Sequence, residues 1–201
     1  IIMKYLFLTT KSLNDVRIFK KQCASLVNLG NDVTVVTFGC ESGRYDGVDV
    51  IGLSGNVDSR LFRYLVAPFK LYQLARTSKF DICQFNDPGL LIYVNRLKRK
   101  GGKLVFDSLE DHPLLLMEAR HLPKIVRGTL AKLYTVFESY MAANLHGILC
   151  CYHWTHERLS KVNSNTHLLF NFPIIDRSTK ARVYIPKETF TLGYAGLIGE
   201  I

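Results

Sequence analysis

Proline and glycine are scarce in this 201-residue chain, at 6 and 14 residues, and no low-complexity tract or internal repeat accompanies them. With 48% apolar and 21% charged residues, collagen-like and disordered chains are excluded and a packed globular chain is expected. Long hydrophobic runs are missing as well. The apolar stretches around Leu6–Leu8 and Val33–Val36 are strand-sized, far below the ~18–20 residues of a membrane-spanning helix. No cleavable small-residue site follows the apolar start, so no secretory leader is expected there. Cysteines in metal or redox spacing are also absent. The five, Cys23, Cys40, Cys83, Cys150 and Cys151, are odd in number and form no Cys-x-x-Cys, which reads as buried thiols in a reducing cytoplasm. Cys150 and Cys151 lie near His153 and His156, but neighbours on a strand point to opposite faces, so no metal site is assigned.

Acidic residues are in deficit, with 17 Asp and Glu against 26 Lys and Arg, for a net charge of +9. That balance favours an anionic partner: a phosphorylated substrate, an anionic bilayer surface or nucleic acid. No nucleic-acid reading module accompanies the charge, so nucleic acid is not expected as a partner.

What is present is an alternation of apolar strands and helices. Strands are expected over Lys4–Thr10, Asp32–Phe38, Val48–Leu53, Phe80–Phe85, Lys103–Phe106, Gly147–Cys151 and His167–Phe170. Helices are expected over Val16–Leu29, about Asp58–Ser78 with a possible kink at Pro68, Gly89–Lys100, Ile125–Asn144 and Thr155–Lys161. Strands that are apolar throughout and alternate with helices imply an α/β, doubly wound parallel sheet, Rossmann-like, covered on both faces. Phe190–Ala195 opens a further strand that runs into Gly196-Leu-Ile-Gly199.

In such a sheet, ligands bind beyond the carboxyl ends of the strands. The polar tips there are Thr9, Thr10 and Asp15–Arg17, then Asn86 and Asp87, then Asp107, Glu110, Asp111 and His112. Crowded carboxylates beside a histidine can position a hydroxyl or take its proton; the same residues can equally cap the helices that follow.

The run Asp15-Val-Arg-Ile-Phe-Lys-Lys, the FDICQFNDPGLL and LVFDSLEDHP segments, the Asn171-Phe-Pro173 exit and the terminal LGYAGLIGE together resemble retaining glycosyltransferases of the group 1 family, which have a GT-B fold. The resemblance implies a Rossmann-like acceptor-binding domain over residues 1–172, a linker over 173–189 and the start of a donor-binding domain over 190–201. It implies Asp107, Glu110 and His112 as catalytic residues, Asp15, Arg17, Asn86 and Asp87 as acceptor-binding, and Gly196 and Gly199 beside the donor diphosphate. Leu109 stands where family members often carry the active-site histidine. The family's paired donor-site glutamates are expected beyond residue 201, so the chain alone is expected to transfer no sugar. The co-substrate implied is a nucleotide sugar, with no tightly bound cofactor and no metal. The acceptor is a saccharide or a lipid-linked one, in the assembly of bacterial surface polysaccharide.

Basic residues interleaved with aromatics over 58–78 (Arg60, Phe62, Arg63, Tyr64, Phe69, Lys70, Tyr72, Arg76) have the composition of an interfacial helix. With the cytoplasmic location read from the cysteines, the stretch is a candidate for peripheral contact with the inner membrane face, although a solvated helix face is the commoner cause of such a charge run. Two other readings stay open: a sugar-nucleotide epimerase of the same fold, and a basic α/β binding module without catalysis.

Overall fold

Runs of β-branched and apolar residues form β1 (Lys4–Leu8), β2 (Asp32–Phe38), β3 (Gly43–Tyr45), β4 (Val48–Leu53), β5 (Ile82–Phe85), β6 (Lys103–Ser108), β7 (Gly147–Cys150) and β8 (Thr166–Leu168). In the computed structural model, which describes residues 2–173, they make one eight-stranded sheet in the order β3-β4-β2-β1-β5-β6-β7-β8. Every neighbouring pair is parallel except β3 with β4. The chain divides into the unit Ile1–Asn171, which carries all of these elements, and a second unit, Phe172–Ile201. The expected linker beyond residue 173, the strand at Phe190 and the turn with Gly196 and Gly199 lie outside the described residues.

The helices are α1 (Ala24–Asn28), α2 (Ala67–Thr77), α3 (Val94–Lys98), α4 (His112–Glu118), α5 (Lys124–Ala142) and α6 (His153–Ser160). The first three are entered by non-α segments: a π-helix over Val16–Cys23, a π-helix over Phe62–Val66 and a 3₁₀ segment over Pro88–Tyr93. Pro68 sits at the start of α2, where a missing N–H costs least.

The sheet is buried unevenly. On one face Leu8, Val36, Phe85, Phe106 and Ile148 pack with Leu71, Leu90, Leu97 and Leu159 from the helices, while on the other Phe7, Val35 and Val50 pack with Ile18, Phe19 and Cys23. The doubly wound reading therefore holds, with a much thinner second layer.

Three local expectations are corrected. β6 does not stop at Phe106 but runs to Ser108, pairing Asp107 with Leu149, so Asp107 lies in the strand and not on the loop after it. The loop expected to hold His112 is instead the first turn of α4, capped by Asp111 through Leu114 N–H at 3.0 Å. β3 was not expected at all; it forms a hairpin with β4 through Asp46 (φ 50) and Gly47 (φ 81), the positive-φ pair that a tight Asp-Gly turn requires.

From β1 the chain steps to β2 and β4 on one side, then crosses back to β5 on the other. The carboxyl ends of β1 and β5 thus flank the topological switch point, where open α/β sheets leave a crevice.

Candidate functional site

The crevice holds a cavity of about 360 Å³ lined by Thr10, Lys11, Arg63, Asn86, Asp87, Glu110 and His112, among others. Its floor is the β5 exit. Asp87 is 4% exposed and caps the 3₁₀ segment, accepting from Gly89 N–H at 2.8 Å and from the Thr10 hydroxyl at 3.3 Å. Burial pushes its carboxyl above the usual carboxylate value; the two hydrogen bonds and the nearby His112 and Arg63 pull it part of the way back.

Polar atoms without partners concentrate here. Asn86 Oδ1, Arg63 Nε and His112 Nδ1 are buried and have no hydrogen-bond partner among the described residues. Buried polar groups are nearly always paired, and the three residues that carry these atoms all line the one cavity.

Of the residues singled out from sequence, the fold brings Asn86, Asp87, Glu110 and His112 to this one cavity. It does not bring Asp15, Arg17 and Asp107. Asp15 is spent as a helix cap, accepting from Ile18 N–H at 2.8 Å. Leu104 and Phe106 belong to the thickly covered face of β6, so by the two-residue alternation of a strand Asp107 points to the opposite one. There it is fully buried in a bidentate pair with Arg17, Nε to Oδ2 at 3.0 Å and Nη2 to Oδ1 at 2.7 Å. Gln22 donates to the same carboxylate at 2.8 Å, Gln84 donates to Gln22, and Arg17 Nη1 closes the network on Leu169 C=O at 2.7 Å. The charge of Asp107 keeps the Arg17 guanidinium raised despite its burial. The pair ties the first helical layer to β6 and to the chain after β8.

Arg63, Tyr64 and Lys11 were missed as cavity residues. Arg63 and Tyr64 belong to the π segment before α2, and the Arg63 guanidinium lies 5.3 Å from the Tyr64 ring. The basic-aromatic composition of this segment was visible, but not that its start closes over the strand tips.

A second, more apolar cavity of about 420 Å³ adjoins the first and shares Tyr64, Pro88, Glu110 and His112 with it. Its remaining wall includes Ile92, Leu115, Leu116, Tyr134 and Phe137. Among the described residues no cluster of three or more His, Cys, Asp or Glu side chains could hold a metal ion, and no helix is long and apolar enough to cross a membrane.

No protein-family profile matches the sequence, and no curated protein matches it. Among solved structures, the crystal structure of Anabaena Alr3699/HepE in complex with UDP and glucose is similar over 84% of this chain, with 13% identity and a TM-score of 0.49. The chain spans 44% of that protein's length.

Proposed function

We propose that this chain is the acceptor-binding domain of a glycosyltransferase that moves a sugar from a nucleotide-sugar donor to a saccharide or lipid-linked acceptor. The observation that carries the reading is the switch-point cavity, with its buried carboxylate and its unpartnered Asn86, Arg63 and His112 atoms. Sugars present many hydroxyls, and each of these groups can exchange a hydrogen bond with one. The sequence resemblance to retaining glycosyltransferases of GT-B fold supports the same reading.

In this proposal Asp87 and Asn86 hold the acceptor hydroxyls from the floor, while Glu110 and His112 orient the attacking one from the α4 side. Asp107, Arg17 and Asp15 hold the scaffold and do not touch substrate. In a retaining transfer the departing donor phosphate is placed to take the acceptor proton, so the protein contributes positioning and charge stabilisation. Gly196 and Gly199 belong to a donor domain that opens at residue 190. A role in surface polysaccharide assembly at the inner membrane face is part of the proposal, and the basic-aromatic stretch over 58–78 is its membrane contact.

Saturation-transfer NMR against a panel of saccharides and alkyl glycosides tests the acceptor site, and transfer from radiolabelled nucleotide sugars by the complete gene product tests the reaction. Saccharide binding that is lost in Asp87→Asn and Arg63→Met, together with label transfer, is the expected result. Absence of saccharide binding, or binding indifferent to both substitutions, overturns the site; binding without transfer overturns the activity.

A further inference from the structure

The crevice lies at the carboxyl ends of the strands, but the positive charge gathers at their amino ends. β1 and β6 open on Lys4 and Lys103, and the backbone of Asp81 joins them, its N–H donating to Lys4 C=O at 2.9 Å and its C=O accepting from Lys103 N–H at 2.8 Å. The helices that run back to this end add more cations: Arg76 and Lys79 at the close of α2, and Lys98, Arg99 and Lys100 at the close of α3. All of these residues are exposed, and among the described residues none of their side chains has an ion-pair or hydrogen-bond partner. Two carboxylates, Asp32 and Asp81, stand in the same row of strand starts, and Asp81 already accepts Lys4 N–H at 2.7 Å. We infer that the amino end of the sheet around β1, β5 and β6, with the ends of α2 and α3, is a docking surface for an acidic polypeptide segment of a partner protein. This goes beyond the proposed function and does not rest on it.

Local structure accounts for part of this charge. Arg76 and Lys98 sit in the last turns of their helices, where the dipole favours a cation. Lys4 and Lys103 open strands, whose dipoles nearly cancel, so they have no such reason to be there. The repulsion among these groups is felt at His146, just before β7, whose pKa is lowered by burial and then by Lys98 and Lys103. Like charges held this close raise the energy of the folded chain, and a bound anion removes that cost. The occupant follows from place and composition. A substrate held here would be at the wrong end of the sheet for the crevice. Ala75 and Leu97, the apolar neighbours of these cations in α2 and α3, are fully buried, so they offer nothing that enters a headgroup layer. Asp32 and Asp81 interrupt the row where a phosphate backbone would run, and no nucleic-acid reading module accompanies it. Carboxylates on an extended peptide can pair with the cations and leave Asp32 and Asp81 to water, and charge complementarity of this kind sets which partner docks.

The probe is a fluorescein-labelled deca-glutamate peptide, titrated into the full 201-residue chain and followed by anisotropy at low and physiological salt. Binding is expected, and it should weaken as salt rises, because the attraction between exposed charges is screened. Lys98→Glu with Lys100→Glu should lower the affinity by about tenfold or more, since two attractions become two repulsions. Lys124→Glu with Lys132→Glu makes the same change in net charge on α5 and should bind as wild type. All four side chains are exposed, so neither double variant disturbs the core. An NMR titration of His146 locates the peptide: once Lys98 and Lys103 are neutralised, its pKa should rise toward the ordinary histidine value of ~6.5. Phosphatidylglycerol vesicles and a DNA duplex are titrated in parallel. Absence of peptide binding, equal loss in the two double variants, or a His146 that titrates unchanged in the complex overturns the inference. So does binding to the vesicles or the duplex that matches the peptide and fails in the same double variant, which would give the surface to a bilayer or to nucleic acid. The proposed function is read out elsewhere, in saccharide binding and label transfer, so either can fail while the other stands.

Discussion

Asp87 and Asp107 stand at the same end of the adjacent strands β5 and β6, and both are almost fully buried. Their partners differ in kind. Asp107 faces the thin layer and spends both oxygens on Arg17 and Gln22. Asp87 faces the thick layer at the switch point, accepts one backbone N–H and one hydroxyl, and borders buried atoms with no partner at all. Position along the chain separates the two roles: Asp107, still within β6, is turned by strand alternation toward the helical segment that carries Arg17 and becomes scaffold, whereas Asp87, two residues beyond β5, caps the 3₁₀ segment at the crevice.

The sharpest way to break this comparison is to neutralise each carboxylate. Asp107→Asn leaves the Arg17 guanidinium buried without its counter-charge, and breaking one side of such a pair costs about 3–5 kcal/mol. Urea denaturation should therefore show a large drop in midpoint. Replacing both members with apolar residues, Arg17→Met with Asp107→Leu, should recover most of it, because removing the pair also removes the desolvation burden. A small effect of Asp107→Asn would mean that the pair is not the tie it is read as here. Asp87→Asn should cost less than about 1 kcal/mol, since asparagine caps a helical segment nearly as well as aspartate.

Binding should sort the two residues in reverse. Asp87→Asn is expected to weaken saccharide affinity by about tenfold or more, the range for losing a hydrogen bond to a charged group, measured by calorimetry at matched fold stability. Arg17→Met in the background of Asp107→Leu should bind as wild type once refolded stability is matched. If that double variant loses saccharide binding while Asp87→Asn keeps it, the site lies on the other face.

The sheet was legible because its strands are apolar on both faces, as in β2 (Asp32–Phe38), a pattern that parallel burial demands. The clustering of Asn86, Asp87, Glu110 and His112 was legible too, since the carboxyl ends of parallel strands converge. The fate of Asp107 was not, because Phe106-Asp107-Ser108 carries no turn signal, and continuing the strand one residue past Phe106 puts Asp107 on the face opposite to it. α4 was hidden by its length of seven residues, although Asp111 followed by His112-Pro113 has the order of a cap and an N-terminal proline. The contribution of Arg63 and Tyr64 was out of reach: a π-helical entry has no sequence period distinct from an α-helix, and only tertiary packing brings it over the tips. The β3 hairpin has its one sequence signal in Asp46-Gly47, because the three residues of β3 are exposed and carry no apolar pattern of their own.

The smallest expected effect separates the aspartates by pH. Burial raises the Asp87 carboxyl above its unfolded value, so the folded state keeps that proton longer than the unfolded chain does. The associated stabilisation is complete below the ordinary aspartate value of ~3.9 and is lost as pH rises through the folded value. His146 acts in the opposite sense. Its Nδ1 accepts the Leu104 N–H at 3.0 Å, and burial together with Lys98 and Lys103 lowers its pKa, so stability falls as pH drops below the ordinary histidine value of ~6.5 and the unfolded chain takes up the proton first. The two slopes are opposite in sign, so a wild-type profile alone does not assign them. Subtracting the urea midpoints of Asp87→Asn from those of wild type across this range cancels His146 and leaves Asp87. The difference should fall as pH rises from the acid end; a flat difference would mean that the Asp87 carboxyl is as comfortable ionised in the crevice as in water, and the contrast with a spent carboxylate would lose its electrostatic side.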